Sequence, residues 1–202
     1  MDTKILEDIG YIIEARTPKW NSELFIMFML VFIGFVVVLF KTKLKFKQKL
    51  VSIIFYCYIA NVLVVTMLGR EGYEISENMR ATFIPFFLRD FNETESITKY
   101  ILEFIFNIFL FIPFGLIIPY LLKEKHKYRN AIVIGVISTI ALETTQLVSK
   151  LGTFEIDDIT ANSLGAIVGV LIYYKIRKHK INKRGIENEY TRRNWINISK
   201  KI

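Results

Sequence analysis

Five long apolar runs divide the chain, at roughly 22–40, 50–69, 101–122, 129–148 and 158–174. A helix crosses the hydrocarbon core of a bilayer with about 20 apolar residues, so each run predicts one spanning helix. The fifth run is the shortest and opens on polar residues. The expected fold is all-α: a polytopic membrane helix bundle of about five transmembrane helices in a single membrane domain spanning residues 1–202. No internal repeat is visible, which argues against an inverted-repeat transporter. Between the second and third runs lies the longest loop, 70–100. Its apolar stretch, within Arg80-Ala-Thr-Phe-Ile-Pro-Phe-Phe-Leu-Arg89, is too short to span, and Pro85 would break a regular helix there.

The few polar positions inside the runs are patterned. Glu143 follows the nearly unbroken apolar stretch Ala131–Leu142. A carboxylate at membrane depth is costly unless paired, which makes it a functional-site candidate by default. Gly135, Thr139, Glu143 and Gln146 recur at helical spacing and share one face of the fourth helix. On the fifth, Asp158, Asn162, Gly165, Gly169 and Tyr173 share a face, with Asp157 beside them. Gly165 and Gly169 form a small-xxx-small pair that lets another helix approach closely. In the third helix Asn107 lies near one end, and Pro113 and Gly115 predict a packing kink.

Charge then orients the bundle. Segments 41–49 and 123–130 and the tail from Lys175 hold nineteen of the 27 basic residues. By the positive-inside rule these three regions are cytoplasmic. Five crossings place the N-terminus outside and the C-terminus inside, with 175–202 as a basic cytoplasmic tail. Asn107, Glu143, Gln146, Asp157, Asp158 and Asn162 then gather in one outer layer, within reach of Arg80. A close pair of acids repels unless one is protonated or a cation sits between them. Arg80, a divalent cation held through oxygens, or the donors of a ligand head group could each compensate them, and the residues do not choose among these.

Composition adds limits. The chain is 52% hydrophobic with mean hydropathy +0.36, as a membrane protein should be. The net charge of +8 sits in short loops beside apolar runs, so it reads as a topology signal and not as a nucleic-acid surface. The lone cysteine, Cys57, excludes an internal disulfide. The first run is preceded by acids and followed by lysines, unlike a cleaved signal peptide. Neither histidine, His126 or His179, falls near the outer layer, which argues against histidine phosphatase and zinc protease chemistry. Any catalysis is left to carboxylates, with Glu143 and Asp158 the candidates, and no metal set is firm.

Four segments, in order, resemble the VanZ-like membrane protein family: Arg80-Ala-Thr-Phe-Ile-Pro-Phe; Asn107-Ile-Phe-Leu-Phe-Ile-Pro-Phe-Gly115; Glu143-Thr-Thr-Gln146; and Asp157-Asp-Ile-Thr-Ala-Asn162-Ser-Leu-Gly-Ala-Ile-Val-Gly169. They cover roughly 80–172. Thr82-Phe stands where the family often has Asn-Leu, and the Arg that often precedes the paired acids is absent, with Lys150 the nearest base. The resemblance implies a multi-pass protein of the bacterial cytoplasmic membrane that lowers susceptibility to teicoplanin-type (lipo)glycopeptide antibiotics. The expected partners are membrane lipids and a lipid-linked wall precursor or the glycopeptide itself, with no nucleic acid. The expected ligand-binding set is Arg80, Asn107, Glu143, Gln146, Asp157, Asp158 and Asn162, with Pro113, Gly115, Gly165 and Gly169 in helix packing. Two other readings stay open: a membrane enzyme acting on a lipid head group through carboxylate or carboxylate–metal chemistry, and a non-catalytic accessory or scaffold protein of envelope assembly.

Overall fold

The computed structural model describes residues 3–17, 19–68, 81–85, 88, 97–122 and 127–199. Among these residues six α-helices follow one another: α1 Thr3–Arg16, α2 Ser22–Lys41, α3 Phe46–Leu63, α4 Ile97–Leu121, α5 Lys127–Ser149 and α6 Ile156–Ser199. A π-helical turn, Val64–Leu68, extends α3. Five helices are long and apolar enough to cross a membrane: Ser22–Lys41, Phe46–Met67, Ile97–Leu121, Lys127–Ser149 and Ile156–Lys183. The helix is the natural state of such segments, because hydrocarbon offers the backbone no hydrogen-bond partner and the helix supplies its own. Side-chain hydroxyls follow the same rule: those of Ser52, Thr144, Thr145 and Thr160 each donate to the carbonyl four residues back.

The helix ends are legible in the residues. Asn21 caps α2, its side-chain oxygen accepting from Leu24 N–H at 2.8 Å. Asp157 and Asp158 occupy the first turn of α6, where acids favour the positive end of the helix dipole. Lys150, just past α5, takes a left-handed φ of 58° and turns the chain toward α6.

At the centre α4 and α6 lie side by side and run in the same direction. Gly165 of α6 meets the Ile108 carbonyl of α4, and one turn on, Gly169 meets Ile112. A Cβ at either glycine, or at Gly115 opposite Ala166, would fall on the facing backbone. The helices can touch this closely only because those positions are glycine. Helix α5 packs antiparallel against α6: Gly135 faces Ala166 at one height, and Tyr128 meets Tyr173 and Tyr174 further along. Helix α3 packs antiparallel to α4 through Phe55 on Phe114 and a 2.7 Å hydrogen bond from Tyr58 Oη to the Leu110 carbonyl. Helix α2 is outermost and leans on α3 through Trp20, Phe28, Ala60 and Val64. Its outward residues, such as Leu30 and Val38, are exposed, as lipid-facing positions should be.

Three findings depart from the sequence expectations. The fifth apolar run, the shortest, begins the longest helix: α6 has 44 residues. At 1.5 Å per residue that is about 66 Å, twice the hydrocarbon thickness of about 30 Å. Hydropathy marks where the membrane ends, and the helix continues past it through the basic segment. Helix α1 has no counterpart among the expected elements, since Thr3–Arg16 is too short and polar to register as a span; it packs against α4 and the π turn. Finally, the helical fold includes a two-stranded parallel ladder, β1 Ala81–Thr82 with β2 Phe154–Glu155, in register Ala81↔Phe154 and Thr82↔Glu155.

Candidate functional site

The helix directions put the 42–45 turn, the end of α4 and the start of α5 at one end of the bundle, and the starts of α4 and α6 with the end of α5 at the other. At this second end the polar residues of α4, α5 and α6 converge. Glu143 is the bulkiest of the fully buried side chains among the described residues, 1% exposed. Asn107 is 2% exposed, and Gln146, Asn162 and Thr139 are also buried. The face of α5 read from the sequence, Gly135–Thr139–Glu143–Gln146, is the face turned inward.

Asn107, Asn162, Thr139 and Glu143 each bond to another element. Asn107 Nδ2 of α4 donates to Asp158 Oδ1 of α6 at 2.5 Å. Asn162 Nδ2 of α6 donates to Thr139 Oγ1 of α5 at 3.2 Å. The Glu155 backbone N–H donates to Glu143 Oε2 at 3.2 Å, so a carboxylate from α5 holds the β2 strand. Through the ladder, that strand in turn holds β1, which lies in the chain between α3 and α4. Glu143 thus accepts from a backbone amide, and Asp158 from a side-chain amide. The Gln146 amide lies over Gly152, where an added Cβ would come within 3.2 Å of Oε1. Asn162 Oδ1 and the neighbouring Ser163 Oγ are buried without a hydrogen-bond partner among the described residues.

Asp157 and Asp158 are half-buried and line a recess with Tyr100, Glu103, Phe104 and Glu155. Its volume, about 10 Å³, is room for about one water. Among the described residues, no group of three or more His, Cys, Asp or Glu is placed to hold a metal ion. Arg80 lies outside the described residues. Of the packing residues, Gly115, Gly165 and Gly169 sit at the α4–α6 contact, and Pro113 lies inside an α4 that continues past it.

Sequence reasoning missed three contributors. Thr139 was legible as part of the α5 face but was not placed in the site. Glu155 acts through its backbone N–H, which no side-chain pattern announces. Glu103 faces the acids only because α4 runs beside α6, a tertiary fact.

The arrangement falls within a known pattern of sequence. The profile of the VanZ/LLP1 family matches residues 25–177. The chain belongs to that family. The VanZ/LLP1 match takes in all five spanning helices, including the first two, which carry no diagnostic motif, and leaves α1 outside. Among characterised relatives, Protein VanZ of Enterococcus faecium is 27% identical over 121 residues, 59% of this chain and 74% of that protein. No solved structure matches the chain. Family membership and the five apolar helices make this a multi-pass membrane protein of the VanZ type.

Proposed function

We propose that the protein lowers susceptibility to teicoplanin-type (lipo)glycopeptide antibiotics, and that it does so from the outer face of the bacterial cytoplasmic membrane. The buried polar layer engages a lipid or wall-precursor head group, the acids and amides orienting its hydroxyl or ammonium donors. The N-terminus lies outside and the C-terminus inside. One observation carries this reading: Asn107, Glu143, Gln146, Asp158 and Asn162 converge at the end of the bundle opposite the lysine-rich turn between α2 and α3. Burying a carboxylate and several amides is an expensive way to join helices that glycine contacts already join. The relation to Protein VanZ supports the drug class.

Glu143→Gln is the decisive variant. A glutamine keeps one side-chain oxygen to accept from Glu155 N–H, removes the charge and turns the other oxygen into an NH2 donor. The expected result is a protein made and inserted at wild-type levels whose host has lost its protection against teicoplanin. Full protection by that protein refutes a role for the carboxylate.

A further inference from the structure

A cleft of about 300 Å³ lies between α3 and α5, with α4 as its floor. Tyr58 and Val62 form one wall, Phe111 and Phe114 the floor, and Leu142 and Thr145 the other wall. The Tyr58 and Thr145 hydroxyls donate to the backbone carbonyls of Leu110 and Ala141, both at 2.7 Å, and apart from Ser138 the rest of the lining is hydrocarbon, aromatic or thioether. All three helices are spanning segments, so the surrounding medium at this depth is lipid. An apolar cavity of about half this volume stays dry and takes up hydrocarbon.

The dimensions choose the occupant. The cleft extends along α3 from Tyr58 to Met67, about 13 Å at helical rise. Its volume over that length is a section of about 25 Å². A helix about 10 Å across would need about 80 Å², so a partner helix or a second copy of this chain could only lie over the cleft and leave its depth unfilled. A single extended alkyl chain fits. On α5 the wall residues Leu142 and Thr145 immediately precede Glu143 and Gln146, so the cleft runs alongside the polar layer.

We propose that this cleft is a binding slot for one acyl chain of a membrane lipid. The placing of that lipid's head group at the polar layer, and hence any link to drug protection, rests on the function proposed above; the slot itself does not.

The test uses the full chain in nanodiscs of phosphatidylglycerol doped with phosphatidylglycerol carrying a mid-chain diazirine. After irradiation, labelled residues are mapped by mass spectrometry. Label should concentrate on Val62, Phe111 and Leu142 over Leu30 and Val38 of the lipid-facing side of α2, and should saturate. Ala141→Phe, at the exposed edge of the cleft, should reduce cleft label about tenfold, with Ser138→Phe as a second filling variant and the unfolding midpoint as a check on folding. Glu143→Gln should keep the label. Even labelling of α2 and the cleft overturns the slot, as does undiminished label in both filled variants. A cross-link between two copies through the cleft, or saturable occupation by a fatty-chain lipoglycopeptide that phosphatidylglycerol fails to displace, also overturns it. Normal cleft label in a Glu143→Gln protein that still protects leaves the slot standing and defeats the head-group reading.

Discussion

Glu143 and Asn107 show how a membrane interior handles polar groups: it ties each to a donor or acceptor on another element. For Asp158 that donor is the Asn107 amide. Asn107→Leu keeps similar bulk but removes that hydrogen bond, and one made to a charged acceptor contributes about 1.5–3 kcal/mol. Asn162 differs, because its Oδ1 already lacks a donor among the described residues. Asn162→Leu discards one hydrogen bond and one unmet acceptor together, so its loss should be the smaller. Unfolding midpoints of the two variants in the same detergent check the order, and a larger loss for Asn162→Leu contradicts it. The polar face of α5 was readable from spacing alone. What each group bonds to was not, since Asn107 and Asp158 are 51 positions apart in the chain.

The pair α4–α6 depends on glycine more than on any side-chain contact. A leucine at Gly169 would meet the Ile112 carbonyl and the backbone at Gly115 and Leu116, leaving no side chain that could move aside. Overpacking of this kind costs about 1–3 kcal/mol or more, and Gly169→Leu should lower the unfolding midpoint or abolish insertion. Gly34 on α2 is the control, with nothing within 4 Å of an added Cβ. Gly34→Leu should be neutral or stabilising by up to about 1 kcal/mol through helix propensity. Equal effects at the two sites would show that the close approach of α4 and α6 does not matter. The GxxxG spacing pointed to a helix contact but did not name the partner. The span marked by hydropathy did not fix the length of α6 for a related reason, since hydropathy stops at Tyr174 while helix-compatible lysines, arginines and glutamates carry the helix on.

For the bundle as a whole, the separation of the lysine-rich turn between α2 and α3 from the polar layer makes a topological prediction. In a Cys57→Ser background, Lys43→Cys lies in the α2–α3 turn and Ser149→Cys at the opposite end, and both positions are exposed. A membrane-impermeant maleimide added to intact cells should label Ser149→Cys and spare Lys43→Cys until the cells are opened. The reverse pattern would place the polar layer on the cytosolic side and remove it from any ligand arriving from outside. The charge bias of the loops motivates the expected result.

The sequence by itself determined the membrane class, the five spans, the polar face of α5 and the family. These are local properties, summed along one segment or read from its helical period, and hydrocarbon leaves a long apolar segment no alternative to a helix. Only the tertiary structure decided that β1 pairs with β2 and that Glu143 holds the Glu155 amide. It also decided that α4 and α6 run parallel through facing glycines, and that α3 and α5 leave a chain-wide slot between them. Those features join residues distant in the chain, and packing selects among the many pairings that a pattern of apolar faces permits.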